Sequence, residues 1–133
     1  MTTAIISISE LSRQSGVSNH TLRYYEKEGV LAPATRAANG HRRYRTSDVA
    51  WLAFVLRLKV TGMPLAEIKR YAALRSQGET TVPQRLAVLE LHRERLVVSI
   101  QELVHNLAAL DDKIGVYRQS LPSTRKASST SKK

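Results

Sequence analysis

The feature that most restricts how this sequence can fold is a long apolar repeat in its C-terminal half. From residue 84 to residue 119 only Gly115 is a glycine or proline, so one helix of about 38 residues is expected. With Leu86 at position a of a heptad, ten of the eleven a and d positions are apolar over five heptads. A period of 3.5 kept for this length predicts a coiled coil.

The apolar seam of this helix must pack against another apolar surface, because a lone helix would expose it to water. The sequence predicts no second helix of comparable length, so a second copy of the chain is the most economical partner. A different protein as the partner is the alternative, and sedimentation of the pure chain as a monomer would favour it. The residues predicted to form the dimer contact are Leu86, Leu89, Leu96, Ile100, Leu103, Leu107, Leu110, Ile114 and Tyr117.

Charge is distributed unevenly along the chain, whose formal net charge is +10 over 133 residues. Residues 1–75 contain 12 Lys/Arg and 5 Asp/Glu, residues 76–119 contain 5 and 6, and residues 120–133 contain 4 and none. An excess of cations usually matches a polyanion, so we expect double-stranded DNA at the N-terminal half. A basic surface that serves only solubility is the alternative.

The N-terminal half begins with the outline of two short helices. An S-x-x-E capping box at Ser7 predicts a helix over about 8–14, and Gly16 fits the turn after it. Ser18 is expected to cap a second helix over about 19–28. Two short helices joined by about four residues that include a glycine are typical of a helix-turn-helix.

A small β-hairpin is predicted over residues 35–45, because Asn39-Gly40 favours a type I′ turn. Thr46 is then expected to cap a third helix over about 47–60, and a fourth helix should end near Arg75. The predicted organisation is a DNA-binding domain at 1–75, a linker at 76–81, the coiled-coil helix at 82–121 and a disordered basic tail at 122–133.

One face of the second helix carries basic and aromatic side chains. At 100° per residue, His20, Arg23, Tyr24 and Lys27 share a face opposite Leu22. Such a face suits the major groove, where arginine can hydrogen-bond guanine. For the helix in isolation, a solvated charged face is the preferred interpretation.

The predicted hairpin favours the DNA interpretation. Arg42 and Arg43 precede Tyr44 on one strand, and Arg36 lies on the facing strand. Cations on a projecting loop can contact phosphates and thereby position a recognition helix.

Other classes of protein are excluded or disfavoured by what the sequence lacks. It contains no cysteine, which excludes disulfides and thiolate metal sites. His92 and His105 are 13 residues apart on the long helix, about 220° around it, and cannot share an ion. No H-E-x-x-H, G-x-S-x-G or P-loop spacing is present. We therefore expect no catalytic residues, metal or cofactor, no membrane partner, and a cytoplasmic protein.

Three motifs in order resemble the winged helix-turn-helix domain of MerR-family transcriptional regulators. They are R-Y-Y-E at 23–26, G-x-R-R-Y at 40–44 and G-x-P-L-x-E-I at 62–68. The resemblance spans residues 5–75, and the long helix is similar to the antiparallel dimer coil of that family, nearest its aldehyde and nitrosative-stress branch. It implies a mainly α fold, with a small hairpin wing followed by an antiparallel coiled-coil dimerisation helix.

The resemblance also implies a function, that of a homodimeric regulator on an inverted repeat within a promoter. Such proteins bend and untwist an overlong promoter spacer so that RNA polymerase can read both elements, and the energy involved is that of DNA deformation. The residues expected to contact DNA, from the patterns and from the resemblance, are Asn19, His20, Arg23, Tyr24, Tyr25, Lys27, Arg36, Arg42, Arg43, Tyr44 and Lys59.

The sequence departs from the family in its effector chemistry. Metal sensors of the family carry cysteines at the dimer helix, and the aldehyde branch commonly has one near the third helix, whereas this chain has none. The effector is therefore left open, between a constitutive binder, a simple repressor and a sensor with a small pocket between helices. An architectural or excisionase-type module is the other alternative, but a coiled coil that fixes half-site spacing favours a palindromic operator.

Overall fold

The structure is a computed structural model that describes residues 4–36, 38 and 40–122. Five helices and a small antiparallel sheet confirm the predicted fold class of a mainly α winged helix-turn-helix with a long C-terminal helix. Ala37, Asn39 and nearly all of the predicted tail at 122–133 lie outside the described residues. The elements are β1 (Ile5–Ser7), α1 (Ile8–Ser15), α2 (Asn19–Lys27), β2 (Thr35–Arg36), β3 (Arg42–Arg45), α3 (Ser47–Val60), α4 (Leu65–Ser76), a 3₁₀ turn (Glu79–Thr81) and α5 (Val82–Gln119).

Local capping sets the ends of the helix-turn-helix, as the sequence predicts. The Ser7 hydroxyl accepts a hydrogen bond from the Glu10 backbone N–H at 3.1 Å, and Ser18 accepts one from Thr21 at the same distance. Gly16 ends α1 with a φ of 77°, in the left-handed region that favours glycine. The two helices pack together through a shared buried cluster that includes Leu11, Val17 and Leu22, with Ile8 packed against it.

The wing is a three-stranded sheet in the order β1-β3-β2, not the predicted two-stranded hairpin. Ser7 pairs with Arg43, so the segment before α1 forms the third strand. A strand of only three residues shows too little alternation to be found from sequence. Arg36 pairs with Arg42, and the turn predicted at Asn39-Gly40 lies partly outside the described residues.

The third helix, α3, has the predicted bounds, but Thr46 does not cap it through its side chain. Thr46 already has helical backbone angles and makes no side-chain cap hydrogen bond. The Asp48 carboxylate instead accepts a hydrogen bond from the Arg45 backbone N–H at 3.0 Å. Trp51 on the inner face of α3 donates its indole N–H to the Val30 carbonyl at 2.8 Å, which holds the loop after α2 against the core.

The chain forms two compact units, and the first of them extends to Arg93. The first turns of α5 therefore belong to the N-terminal unit, whereas the sequence placed them in the predicted coiled-coil segment at 82–121. Leu89, predicted in the dimer contact, is half-buried against the core of its own unit, because the helix continues from that unit and its inner face is covered there.

His92 is also buried on this inner face of α5. Its Nε2 lies 2.8 Å from the Thr61 hydroxyl oxygen, at the end of α3. The Thr61 hydroxyl also lies within hydrogen-bond distance of the Arg57 carbonyl, at 2.7 Å. The bond between His92 and Thr61 fastens the start of α5 to α3.

Candidate nucleic-acid interface

The α2 helix presents its basic and aromatic face to solvent. Leu22 and Tyr25 point into the core, which fixes the rotation of the helix. Asn19 is half-buried at the start of the helix. The four side chains assigned to the opposite face are all exposed: His20, Arg23, Tyr24 and Lys27.

Two arginines extend this cationic surface onto the wing. Arg43 is exposed on β3, and Arg36 is exposed on β2, where its Nη1 donates to the Gly40 carbonyl at 2.8 Å. Among the described ion pairs none involves Arg23, Lys27 or Arg43, so these cations are available to an external anion. Together with the α2 face, they form a surface that suits a phosphate backbone.

Glu26 connects the wing to α2, and it is a residue whose role the sequence analysis missed. Its Oε1 accepts from Arg42 Nη1 at 2.7 Å and from the Tyr44 hydroxyl at 2.9 Å. Its Oε2 accepts from the Ala34 backbone N–H at 2.8 Å. The sequence feature that could have revealed this role is a lone acidic residue beside Leu22, on the inward face of a basic helix. A carboxylate buried there requires a hydrogen-bonding or charged partner.

The electrostatics of this cluster keep its members in their hydrogen-bonding forms. The hydrogen bond with the Tyr44 hydroxyl, followed by the negative charge of Glu26, raises the pKa of Arg42 above its ordinary value. Burial raises the pKa of Tyr44, and its hydrogen bond to Glu26 raises it further. Arg42 therefore stays charged and Tyr44 stays protonated at neutral pH.

Two of the predicted DNA contacts change their role in the structure. Tyr44 is 0% exposed, so the predicted backbone contact by its side chain is wrong. The side chain of Arg42 is half-buried in its ion pair with Glu26, so it positions the wing. The reason is the strand pleat, which turns Tyr44 inward and the adjacent Arg43 outward. Tyr25 is 4% exposed, and a contact with a phosphate would have to use that small part of its surface.

Lys59, the remaining predicted contact, is exposed near the end of α3. It lines a cavity of about 360 Å³ together with Tyr24 and Tyr25 of α2. The structure thus brings Lys59 to the same region as the α2 face, although 35 residues separate it from Tyr24 in the sequence.

The predicted dimer contact is largely exposed in the single chain. Leu96 is half-buried. The remaining predicted residues other than Leu89 are between 44% and 66% exposed, and these are Leu86, Ile100, Leu103, Leu107, Leu110, Ile114 and Tyr117. Exposed apolar side chains in a continuous row mark an interaction surface.

Other kinds of site were searched for in the part of the chain that the structure describes. No group of three or more histidine, aspartate or glutamate side chains there could hold a metal ion. No described helix combines the length and the apolar character needed to cross a membrane.

The sequence matches two family descriptions, "MerR HTH family regulatory protein" over residues 6–74 and "MerR, DNA binding" over residues 49–113. An uncharacterized HTH-type transcriptional regulator of Haemophilus influenzae is 35% identical over 112 residues, 84% of this chain and 83% of that protein.

Two solved structures resemble the chain over most of its length. A MerR family transcriptional regulator from Listeria monocytogenes, described as putative, has a TM-score of 0.82 and 31% identity, covering 95% of this chain and 96% of that chain. HiNmlR, described as a MerR family regulator lacking the sensor domain and bound to promoter DNA, has a TM-score of 0.77 and 33% identity, covering 88% and 93%. These relatives are regulators and not enzymes, and the chain belongs to the MerR family of DNA-binding transcriptional regulators.

Proposed function

We propose that two copies of this chain bind an inverted repeat in a promoter, pair through α5, and regulate transcription by bending and untwisting the promoter spacer for RNA polymerase. In this proposal α2 enters the major groove, and Arg23 is the residue that reads base edges. Asn19, His20, Tyr24, Tyr25 and Lys27 contribute from the same helix. Arg36, Arg43 and Lys59 contact phosphates and set the register.

The observation that carries the proposal is the exposed apolar row on α5. Leu103 is 66% exposed, and Leu107 and Leu110 are 56% and 60% exposed. Burying such side chains releases about 25 cal/mol per Å² of apolar surface, which favours pairing with an equally apolar helix. A symmetric pair also duplicates the cationic surface at a fixed separation, and this requires a target with two related half-sites.

We base the proposed division of roles, in which α2 reads bases and the wing contacts phosphates, on how firmly the wing is held against α2. The Glu26 cluster fixes β3 relative to α2 through hydrogen bonds of 2.7–2.9 Å. A wing held in this way can position the recognition helix through phosphates, which carry no sequence information. The relative HiNmlR, described as bound to promoter DNA, supports promoter DNA as the target proposed here.

Deformation of the DNA is the finer part of the proposal, and the family resemblance supports it. Bending a site of 20–30 base pairs by 40–90° costs on the order of 1–6 kcal/mol. Two reading surfaces on one dimer could supply this free energy through their phosphate contacts.

The test uses the purified full-length chain and fragments of the host genome. Selection of bound fragments followed by footprinting should yield one palindrome located between promoter elements. Circular-permutation gels with that fragment should show a bend at its centre. Protection of many unrelated sites would instead indicate an architectural module, and a chain that sediments as a monomer would contradict the proposed dimer.

A further inference from the structure

The cavity that contains Lys59 has walls from three elements of the DNA-binding unit. Val55 of α3, Ile68 of α4 and Met63 in the turn between those helices are buried and give it an apolar interior. Leu65 is half-buried and also lines the cavity. Tyr24 is 43% exposed, so the phenol lies where the cavity meets solvent.

The polar side chains that line this cavity favour a negatively charged ligand. Lys59 is an exposed member of its lining and takes part in none of the described ion pairs. Tyrosine hydroxyls can donate a hydrogen bond to an anion beside such a cation. A volume of about 360 Å³ falls within the range of small-molecule pockets, in which an apolar wall with few polar groups is the usual arrangement.

We propose that this cavity binds a small anion with an apolar body, such as a medium-chain carboxylate, and that the bound ligand excludes DNA. The alkyl part would lie along Val55, Met63 and Ile68, and the carboxylate would pair with Lys59. Exclusion of DNA rests on the proposed function, in which Tyr24 and Lys59 contact the duplex. The same cation cannot serve a carboxylate and a phosphate fully at once, so ligand and DNA compete.

The chain offers a direct probe, because Met63 is one of only two methionines. In the full-length protein labelled with ¹³C at the methionine methyl groups, octanoate should shift the Met63 resonance saturably. Octanol has the same chain without the charge and should bind about fivefold more weakly, the fold-change that one solvent-exposed ion pair can supply. Inorganic phosphate has the charge without the chain and should leave the resonance unmoved.

Two variants separate the charge from the cavity. Lys59→Gln should weaken octanoate binding about fivefold and leave octanol binding unchanged. Arg57→Gln removes the same charge from the same helix, outside this cavity, and should change neither affinity. Leu65→Phe should narrow the cavity and weaken both ligands. Equal affinities for octanoate and octanol, or a Met63 resonance that no ligand shifts, would overturn the proposal.

Competition is measured separately, with the palindrome selected above. Octanoate at saturating concentration should reduce the affinity of the wild-type chain for that duplex at least tenfold, with little effect on Leu65→Phe at the same concentration. If octanoate binds as expected and leaves DNA affinity unchanged, exclusion of DNA is wrong. If the chain binds no duplex selectively, the proposed function fails, and the methyl titration still decides whether the cavity binds the anion.

Discussion

The hydroxyl of Tyr44 donates a hydrogen bond of 2.9 Å to Oε1 of Glu26, and this contact joins the inward face of the wing to the predicted recognition helix. Tyr44 is fully buried, so the bond is made in surroundings where a missing partner is costly. The same oxygen accepts the Arg42 guanidinium at 2.7 Å. The orientation of the wing therefore depends on one carboxylate of α2.

Glu26→Gln should destabilise the DNA-binding unit by about 1–3 kcal/mol, the usual cost of leaving a buried hydrogen-bonding group without its partner. Both carboxylate oxygens of Glu26 accept hydrogen bonds, so an amide would place a donor against a donor on at least one side. The measurement is the free energy of unfolding from urea titration. Glu79→Gln is the matched control, at an exposed position, and should stay within about 0.5 kcal/mol of wild type. Equal stability of the two variants would contradict the assigned role of Glu26.

Stability should fall at alkaline pH because of Tyr44. Burial and the bond to Glu26 raise the pKa of this phenol above its ordinary value of 10.0, so the folded chain keeps the proton after the unfolded chain has lost it. The contribution is complete below about pH 10 and is lost as the pH rises through the folded pKa.

Tyr44→Phe tests this pH dependence. The variant should be less stable than wild type by about 1 kcal/mol at neutral pH, and the difference should shrink as the pH rises above about 10. Urea titrations of both proteins from neutral to alkaline pH measure it. A difference that is constant or grows with pH would show that the phenol does not titrate as described.

Arg23 and Arg43 should differ in what they contribute to DNA binding. Arg23→Ala is expected to cost about 1–3 kcal/mol on the cognate palindrome and to relax specificity. Arg43→Ala should weaken all duplexes alike and reduce the slope of log affinity against log salt by about one unit. Binding to the palindrome and to random DNA over a salt series measures both effects. Identical behaviour of the two variants on both duplexes would refute the division between base reading and phosphate contact.

Leu103→Lys should convert the dimer to a monomer and abolish binding to the palindrome, because it places a charge within the apolar seam. Val98→Lys is the control, since Val98 is likewise exposed on α5 but lies about 140° away around the helix, outside the assigned seam. Sedimentation of both variants gives their oligomeric state. Dimeric Leu103→Lys, or monomeric Val98→Lys, would show that the seam is assigned to the wrong face.

The parts of the fold that the sequence predicted correctly depend on local chemistry. Ser7 and Ser18 cap their helices because a hydroxyl can reach a backbone N–H three residues away, whatever the rest of the chain does. Thr46 does not cap α3 through its side chain because its own backbone is already helical, with φ −62° and ψ −26°. The exposed face of α2 follows the spacing in the sequence, because Leu22 fixes the rotation of the helix. The burial of Tyr44 on β3 was not predicted, because no apolar alternation indicates the inward face of that strand.

The sequence by itself determined the helix ends, the exposed face of α2 and the length and period of α5, since each follows from spacing along one segment. Only the tertiary structure decided that Tyr44 is buried, that Glu26 joins the wing to α2 and that Lys59 lies on a cavity beside Tyr24. Those three relationships join residues that are far apart in the chain. Their geometry is set by strand pairing and by packing between helices, and no local pattern records either.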